Sequence, residues 1–326
     1  MIGSTDPGSS AGPAGPQGGG AGVAWQERTT ALLRIAEAYS SGVRLRDLVR
    51  SIPDDGPRDP ELLGAWIRDT LHDRRVAEGF VYPAAWSDGL RRARDLERRA
   101  ERYVEAAQHG FLGGLGRELR WVRCVAVTGS AAFGGAREGD DCDLLLVTRR
   151  AAVWVVLAAV FLRHRLRRAR GGGDDPRWCL NFVVDERSAA REFARYRGYH
   201  VAREALSAKV VLGAEYYAGL LRRAPWMGEE LPRLYAERSR GVPDAEPSSE
   251  PLPRLVRALN PVLCLVLGGY LAAVGLVRDH RHRHGGRPEK AFRTRVGLGS
   301  LVYESDEFDA LLERYRSPAA GRSASS

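Results

Sequence analysis

Lysine is almost missing from this chain: Lys209 and Lys290 are the only two among 50 basic residues, and the rest are arginine. The net charge of +9 suits an anionic partner such as a nucleotide, a nucleic acid or an acidic membrane surface. An arginine skew this strong reads as composition bias more than as selection for phosphate binding. Cysteine is also scarce. Cys124, Cys142, Cys179 and Cys264 lie far apart with no C-x-x-C pair, so neither a disulfide framework nor a zinc site is indicated. Three of them sit in apolar strand-like runs, where a free cysteine acts as a small hydrophobe. The start lacks a basic stretch followed by an apolar core, so no secretory signal is read there, and a cytoplasmic protein is expected. No internal repeat is visible. With 326 residues, 44% hydrophobic and 28% charged, the chain can bury a sizeable core and divide into two domains.

Residues 1–24 hold Gly, Pro, Ser and Ala with hardly a large apolar side chain, and disorder is expected. Residues 25–86 read as one unit. "ERTTALLRIAEAYSSG" and "RLRDLVRSI" have helical spacing, and "DPELLGAWIRDTLHDRR" is a third helix with Asp59 as N-cap and Pro60 at the first position. "VAEGFVYPAAW" follows as a hairpin. Three small helices and a two-stranded ribbon make a winged-helix-like pattern, which offers two readings: contact with nucleic acid through the third helix, or packing against protein. The third helix has Arg68, Arg74 and Arg75 near its end but no Asn, Gln and Arg face for reading bases, which favours packing. A charged helix over 87–120 connects this unit to a core at 121–236. A Pro- and Ser-rich linker at 237–251, a helical region at 252–315 and a disordered tail at 316–326 complete the chain.

The core opens with "VAVTGSAAFGGAREGDDCDLLLVT", residues 125–148. An apolar strand breaks at Gly129-Ser130, passes a glycine loop, and a second strand begins through Asp140, Asp141 and Asp143. Buried carboxylates need a partner of opposite charge. Strand alternation puts Asp141 and Asp143 on one face, where two oxygen ligands suit a hard divalent cation. Gly129 lets backbone approach a ligand, and Ser130 can cap a short helix whose free N–H groups attract phosphate. Separately, Gly-Ser reads as a hairpin turn and Asp-x-Asp as solvated turn residues. Together, at this spacing, they form a phosphate cradle beside a metal holder, the layout for metal-assisted transfer from a nucleoside triphosphate.

The segment resembles the nucleotidyltransferase superfamily typified by DNA polymerase β, whose signature is Gly-Ser, a short helix, then Asp-x-Asp on the next strand. "CLNFVVDE" and "YHVAREALSAKVVLGAEYYAGLLRRAPWM" extend the likeness to a prokaryotic group with a winged-helix-like region ahead of the core. The resemblance implies an α+β fold with a small mixed sheet, strands at 121–128, 142–148 and 178–184, and Mg2+ (or Mn2+ in its place) on Asp141 and Asp143. It further implies nucleotide contacts from Gly129, Ser130 and Lys209, the last on a helix after the third strand. The acceptor is an unassigned hydroxyl. The superfamily's third carboxylate falls at Asn181, which can ligate a cation but cannot act as a base near neutral pH. Asp185 near the strand end reads as a turn residue. Two functions therefore stand side by side: an active transferase, and a non-catalytic nucleotide sensor or DNA-associated regulator. Lys209 also reads as a plain surface lysine, and Glu204 and Glu215 as outer groups of the site or ordinary helix surface.

Two further stretches carry expectations. His280, His282 and His284 alternate with arginine, so charge crowding opposes a metal and a solvated basic loop is expected. "LNPVLCLVLGGYLAAVGLV", 259–277, has no charge and nearly the length of a membrane span. Its Gly268, Gly269, Ala272, Ala273 and Gly275 permit close helix approach. A buried helix or a self-association helix is expected, with peripheral membrane contact as the other reading, and "EFDALLERY" beyond it has the pattern of an amphipathic helix.

Overall fold

A computed structural model describes residues 25–169, 176–195, 197–240, 252–284 and 292–305. The expected tails at 1–24 and 316–326, most of the linker, Gly171–Gly173 and the "EFDALLERY" helix lie outside the described residues.

The N-terminal unit forms three helices as its sequence pattern requires, except that the third stops at Thr70 and Arg74 and Arg75, expected near its end, open a strand. Helix Trp25–Ala38 leads into a short strand β1 (Val43–Arg44), helix Leu45–Arg50 and helix Pro60–Thr70. Asp59 caps the third helix by accepting a 2.9 Å hydrogen bond from the Glu61 N–H, with Pro60 at the first turn. Strands β2 (Arg74–Ala77) and β3 (Phe80–Pro83) turn at Glu78-Gly79, both at positive φ, and β3 pairs with β1 as well as with β2. The ribbon thus has three strands, one more than the sequence pattern announced.

Helix Gly89–Ala106 leads to a six-stranded mixed sheet. Its strands are β4 (Val122–Val127), β5 (Cys142–Thr148), β6 (Trp178–Asp185), β7 (Lys209–Leu212), β8 (Phe292–Gly297) and β9 (Ser300–Ser305), in the order β7-β4-β5-β6-β9-β8. Only β5 and β6 run parallel, joined by helix Val153–Ala169. The three expected strands share this sheet. The other three correct the sequence reading. Residues 209–212 form a strand where a helix was expected. The C-terminal region is not all helix, because β8 and β9 return to extend the sheet beside β6. Alternation could not reveal that pairing, since it joins β6 to residues more than a hundred positions away.

Each face of the sheet has its own core. Leu145, Val147, Ala126 and Val184 pack against helices Glu186–Arg195, Tyr199–Ser207 and Ala214–Arg222 and, in the same cluster, against Leu48, Leu63, Ile67 and Val81 of the N-terminal unit. Leu144, Leu146, Val127 and Val183 pack on the other face against Trp154, Leu157, Phe111 and Leu115. Arg233 fastens the N-terminal unit: its guanidinium donates to the carbonyls of Val49, Asp54, Gly56 and Pro57 and to the Asp54 carboxylate.

The C-terminal helix runs from Arg254 to His284 through a wider turn at Cys264–Gly268. One narrow strip packs inward. Buried Asn260 accepts from the Trp154 N–H at 2.9 Å and donates to the Leu298 carbonyl at 3.2 Å. Gly268 meets Trp154 and Val296, and Gly275 meets Thr294. Leu263, Cys264, Leu267 and Leu271 pack partly against the same core, and the outer side is open: Leu265 is 79% exposed and Leu276 71%. The segment 259–277 is therefore not a core helix. His280 to His284 continue the helix and do not form a loop. At the linker, helix Pro232–Ser239 occupies the first residues expected to be irregular.

Candidate active site

The end of β4 and the starts of β5, β6 and β7 meet at one edge of the sheet. There the chain leaves β4 at Thr128, whose N–H donates to the Asp143 carbonyl at 2.9 Å. It turns at Gly129, φ +61°, into the short helix Gly129–Ala132. Gly129 is required twice, by its conformation and by space: a Cβ there would lie 2.2 Å from the Asp143 Oδ2. The turn thus rests directly on the Asp143 carboxylate.

Asp143 alternates with Leu145 and Val147 and so points to the face that packs the N-terminal unit. Burial pushes its carboxyl up to about 6; the Cys179 thiol opposes the shift by hydrogen bonding, while Asp141 and Asp140 reinforce it. Among the described residues no cation pairs with it. Asp141 precedes β5 instead of lying within it; it is about half exposed and pairs with Arg177 at 2.9 Å. Asp140 takes a local role, accepting from the Arg137 N–H at 2.9 Å and the Ser130 hydroxyl at 3.3 Å. Ser130 therefore braces the loop. The cap position of the short helix is held by Thr128 without a side-chain bond, which corrects the expected role of Ser130.

On β6 the register slips between Asp143/Cys179 and Leu145/Phe182, so one extra residue of β6 falls at Leu180-Asn181. Such irregularities gather next to functional sites because they re-aim a side chain. Asn181 sits at the slip, and its buried Oδ1 accepts no hydrogen bond. Asp185 ends β6 and accepts from the Ser188 N–H at 2.8 Å, a capping role in line with the turn reading.

Helix Tyr199–Ser207 lies against the Gly129–Ala132 turn. It brings His200 and Arg203, which the sequence motifs did not place, and Glu204, expected there as an outer group of the site or as ordinary helix surface. His200, Arg203 and Glu204, at spacings of three and four, share one side of this helix. The Arg203 guanidinium stacks 3.9 Å from the centre of the Phe133 ring, and burial lowers its pKa. Burial, then the nearby Asp143, push Glu204 up to about 7, while Arg203 opposes this. Burial and Arg203 hold His200 down at about 4, so it is neutral at physiological pH. The i, i+3, i+4 spacing of His, Arg and Glu in "YHVAREALS" was the available signal.

Lys209 is exposed at the start of β7, opposite Val127. Val127 belongs to the other face of the sheet, so Lys209 reaches the same edge from the side opposite Asp143. Glu215 is exposed in the first turn of helix Ala214–Arg222 and stands apart. Among the described residues no three His, Cys, Asp or Glu side chains form a metal cage. Comparison with family models, curated proteins and solved structures finds no match.

Proposed function

We propose that this chain is a nucleotidyltransferase that binds a nucleoside triphosphate with Mg2+ or Mn2+ at the Gly129–Asp143 edge and passes its nucleoside monophosphate to a hydroxyl acceptor, with pyrophosphate leaving. The carrying observation is the Asp143 carboxylate, raised by burial and neighbouring carboxylates, without a cation partner among the described residues, under a turn with no space for a side chain. Carboxylates crowded in this way favour a cation. Asp141, Asp143 and the unpaired Asn181 Oδ1 would hold it. A full protein cage is not needed, because Mg2+ in nucleotide sites takes one or two carboxylates and completes its shell with phosphate oxygens and water. The bound cation would neutralise phosphate charge and polarise the α-phosphate that the acceptor oxygen attacks.

Gly129 and Ser130 form the turn that the phosphates approach. Arg203, stacked on Phe133, is the cation that this reading sets beside them, in preference to Lys209. Glu204 supplies the third carboxylate that β6 lacks: a carboxyl near 7 can accept a hydroxyl proton at neutral pH. Incubation with each labelled nucleoside triphosphate and cell extract should label an acceptor. Asp141→Ala with Asp143→Ala should abolish the label, and an undiminished signal would remove the assignment. Glu204→Gln should slow transfer about 100-fold while calorimetric nucleotide affinity holds.

Asn181 favours the second reading, a nucleotide-binding sensor without turnover. Nucleotide binding without product would select it, and activity gained by Asn181→Asp would show a site one ligand short. The N-terminal unit is read as a packing module, since helix Pro60–Thr70 exposes Glu61, Leu62, Arg68 and Asp69, a face of mixed charge. Salt-dependent DNA binding would overturn that.

A further inference from the structure

The outer side of the C-terminal helix has no use in nucleotide transfer. From Ala258 to Val277 the chain carries no charge, about 30 Å of helix at about 1.5 Å per residue. Only 17% of its most apolar window is buried. Leu255, Val262, Leu265, Val266, Tyr270 and Leu276 all face solvent. The neighbouring helix Val153–Ala169, packed beside the start of this one, adds exposed Phe161, Leu162 and Leu166. Monomeric soluble proteins rarely leave so continuous an apolar surface open.

Charge selects the occupant. Exposed Arg254 and Arg257 stand at one end, and exposed Arg165 on the neighbouring helix. Neither Val153–Ala169 nor Arg254–Val277 contains an acidic residue. A twofold pairing of two copies sets a patch against itself. Within these two stretches no carboxylate would answer the arginines of a partner copy; Asp279 lies past the second, and Glu118 is already paired with Arg163 at 2.6 Å. An anionic lipid surface answers both features, apolar area and positive rim. The inward strip fixes the orientation. Asn260 is bonded to Trp154 and Leu298, and Gly268 and Gly275 are seated against the sheet hairpin, so the helix cannot leave the core to cross a bilayer. We infer that the Arg254–Val277 helix lies in the plane of an anionic membrane surface, its outer side about 5–10 Å deep in the headgroup boundary, and holds the protein there peripherally. This rests on the exposed helix alone and stands whether or not the nucleotide reading does.

Sedimentation of the full chain with vesicles tests it. Binding to phosphatidylcholine mixed with phosphatidylglycerol should exceed binding to phosphatidylcholine alone severalfold, and should weaken as salt rises. Leu265→Glu, Tyr270→Glu and Leu276→Glu together should lower it at least tenfold. These sites are open, so the variant's circular-dichroism melt should match the parent. Arg254→Gln and Arg257→Gln should each cost about fivefold. Equal binding to both compositions, or none to either, overturns the proposal. So does concentration-dependent dimerisation without vesicle binding, abolished by the triple variant in light scattering, which would make a second copy the occupant. In cell fractionation, release by carbonate washing agrees with in-plane seating; retention until detergent is added overturns it in favour of a span.

Discussion

Gly129 and Asp143 are matched to each other at the scale of single atoms. A methyl group at residue 129 would collide with the Asp143 Oδ2 and would also sit at positive φ. Gly129→Ala should therefore cost about 1–3 kcal/mol, read as a lower urea midpoint, and should weaken nucleotide binding by displacing the carboxylate. Asp143 also sets a pH dependence. Its folded pKa, about 6, lies above the ordinary carboxylate value of 3.8. The folded state thus holds its proton longer, and stability contributed at low pH is lost as pH rises from about 4 to about 6. Asp143→Asn abolishes that loss. It should match the parent near pH 4 and exceed it by about 1–2 kcal/mol near pH 7, part of the shift being discounted for solvent screening. Glu204, raised to about 7, extends the same direction of loss toward neutrality.

Among elements, the C-terminal helix and its hairpin depend on two glycines out of three. Gly268 has Val296 2.8 Å and Trp154 3.0 Å from a hypothetical Cβ, whereas Gly269 has open space. Gly268→Val should destabilise by about 1–3 kcal/mol, because the hairpin must move away from the helix. Gly269→Ala should stabilise by up to about 1 kcal/mol, since alanine loses less backbone entropy in a helix. Thermal melting of the two variants separates close packing from helix propensity. The same contrast explains why a cluster of small residues pointed to an interface without naming its partner. Two of these glycines serve the chain's own sheet.

For the whole molecule, the decisive feature is that one apolar cluster contains both N-terminal residues, such as Leu48 and Ile67, and core residues, such as Leu145 and Tyr217. The two units should unfold together, with calorimetric and van't Hoff enthalpies in agreement. Arg233 reinforces the joint with bonds to four carbonyls, and Arg233→Ala should cost about 2–3 kcal/mol by leaving those acceptors without a donor. Removing residues up to 86 should expose that cluster and leave an aggregating remainder, detectable as loss of soluble protein.

Local information determined a good part of this protein. The period of apolar residues marked the N-terminal helices, the Asp59-Pro60 start and the strands β4, β5 and β6, because helix and strand repeats are set within a few residues. Gly129-Ser130 and Asp143 announced a tight turn against a carboxylate at the end of the sheet, since a carboxylate among aliphatic side chains needs a reason. What crosses the chain stayed hidden. The hairpin β8–β9 and strand β7 exist by pairing with distant strands. Arg203 comes near the Gly129 turn only because its helix is laid against it, and the same packing decides between the two readings of Glu204. Asp141 looked like the twin of Asp143 but is half exposed and paired with Arg177, a neighbour that folding alone supplies. The uncharged helix could be read equally as core, interface or membrane surface. Only tertiary packing decided that one narrow strip of it is buried, because burial is a property of what surrounds a helix and composition gives only its capacity for it.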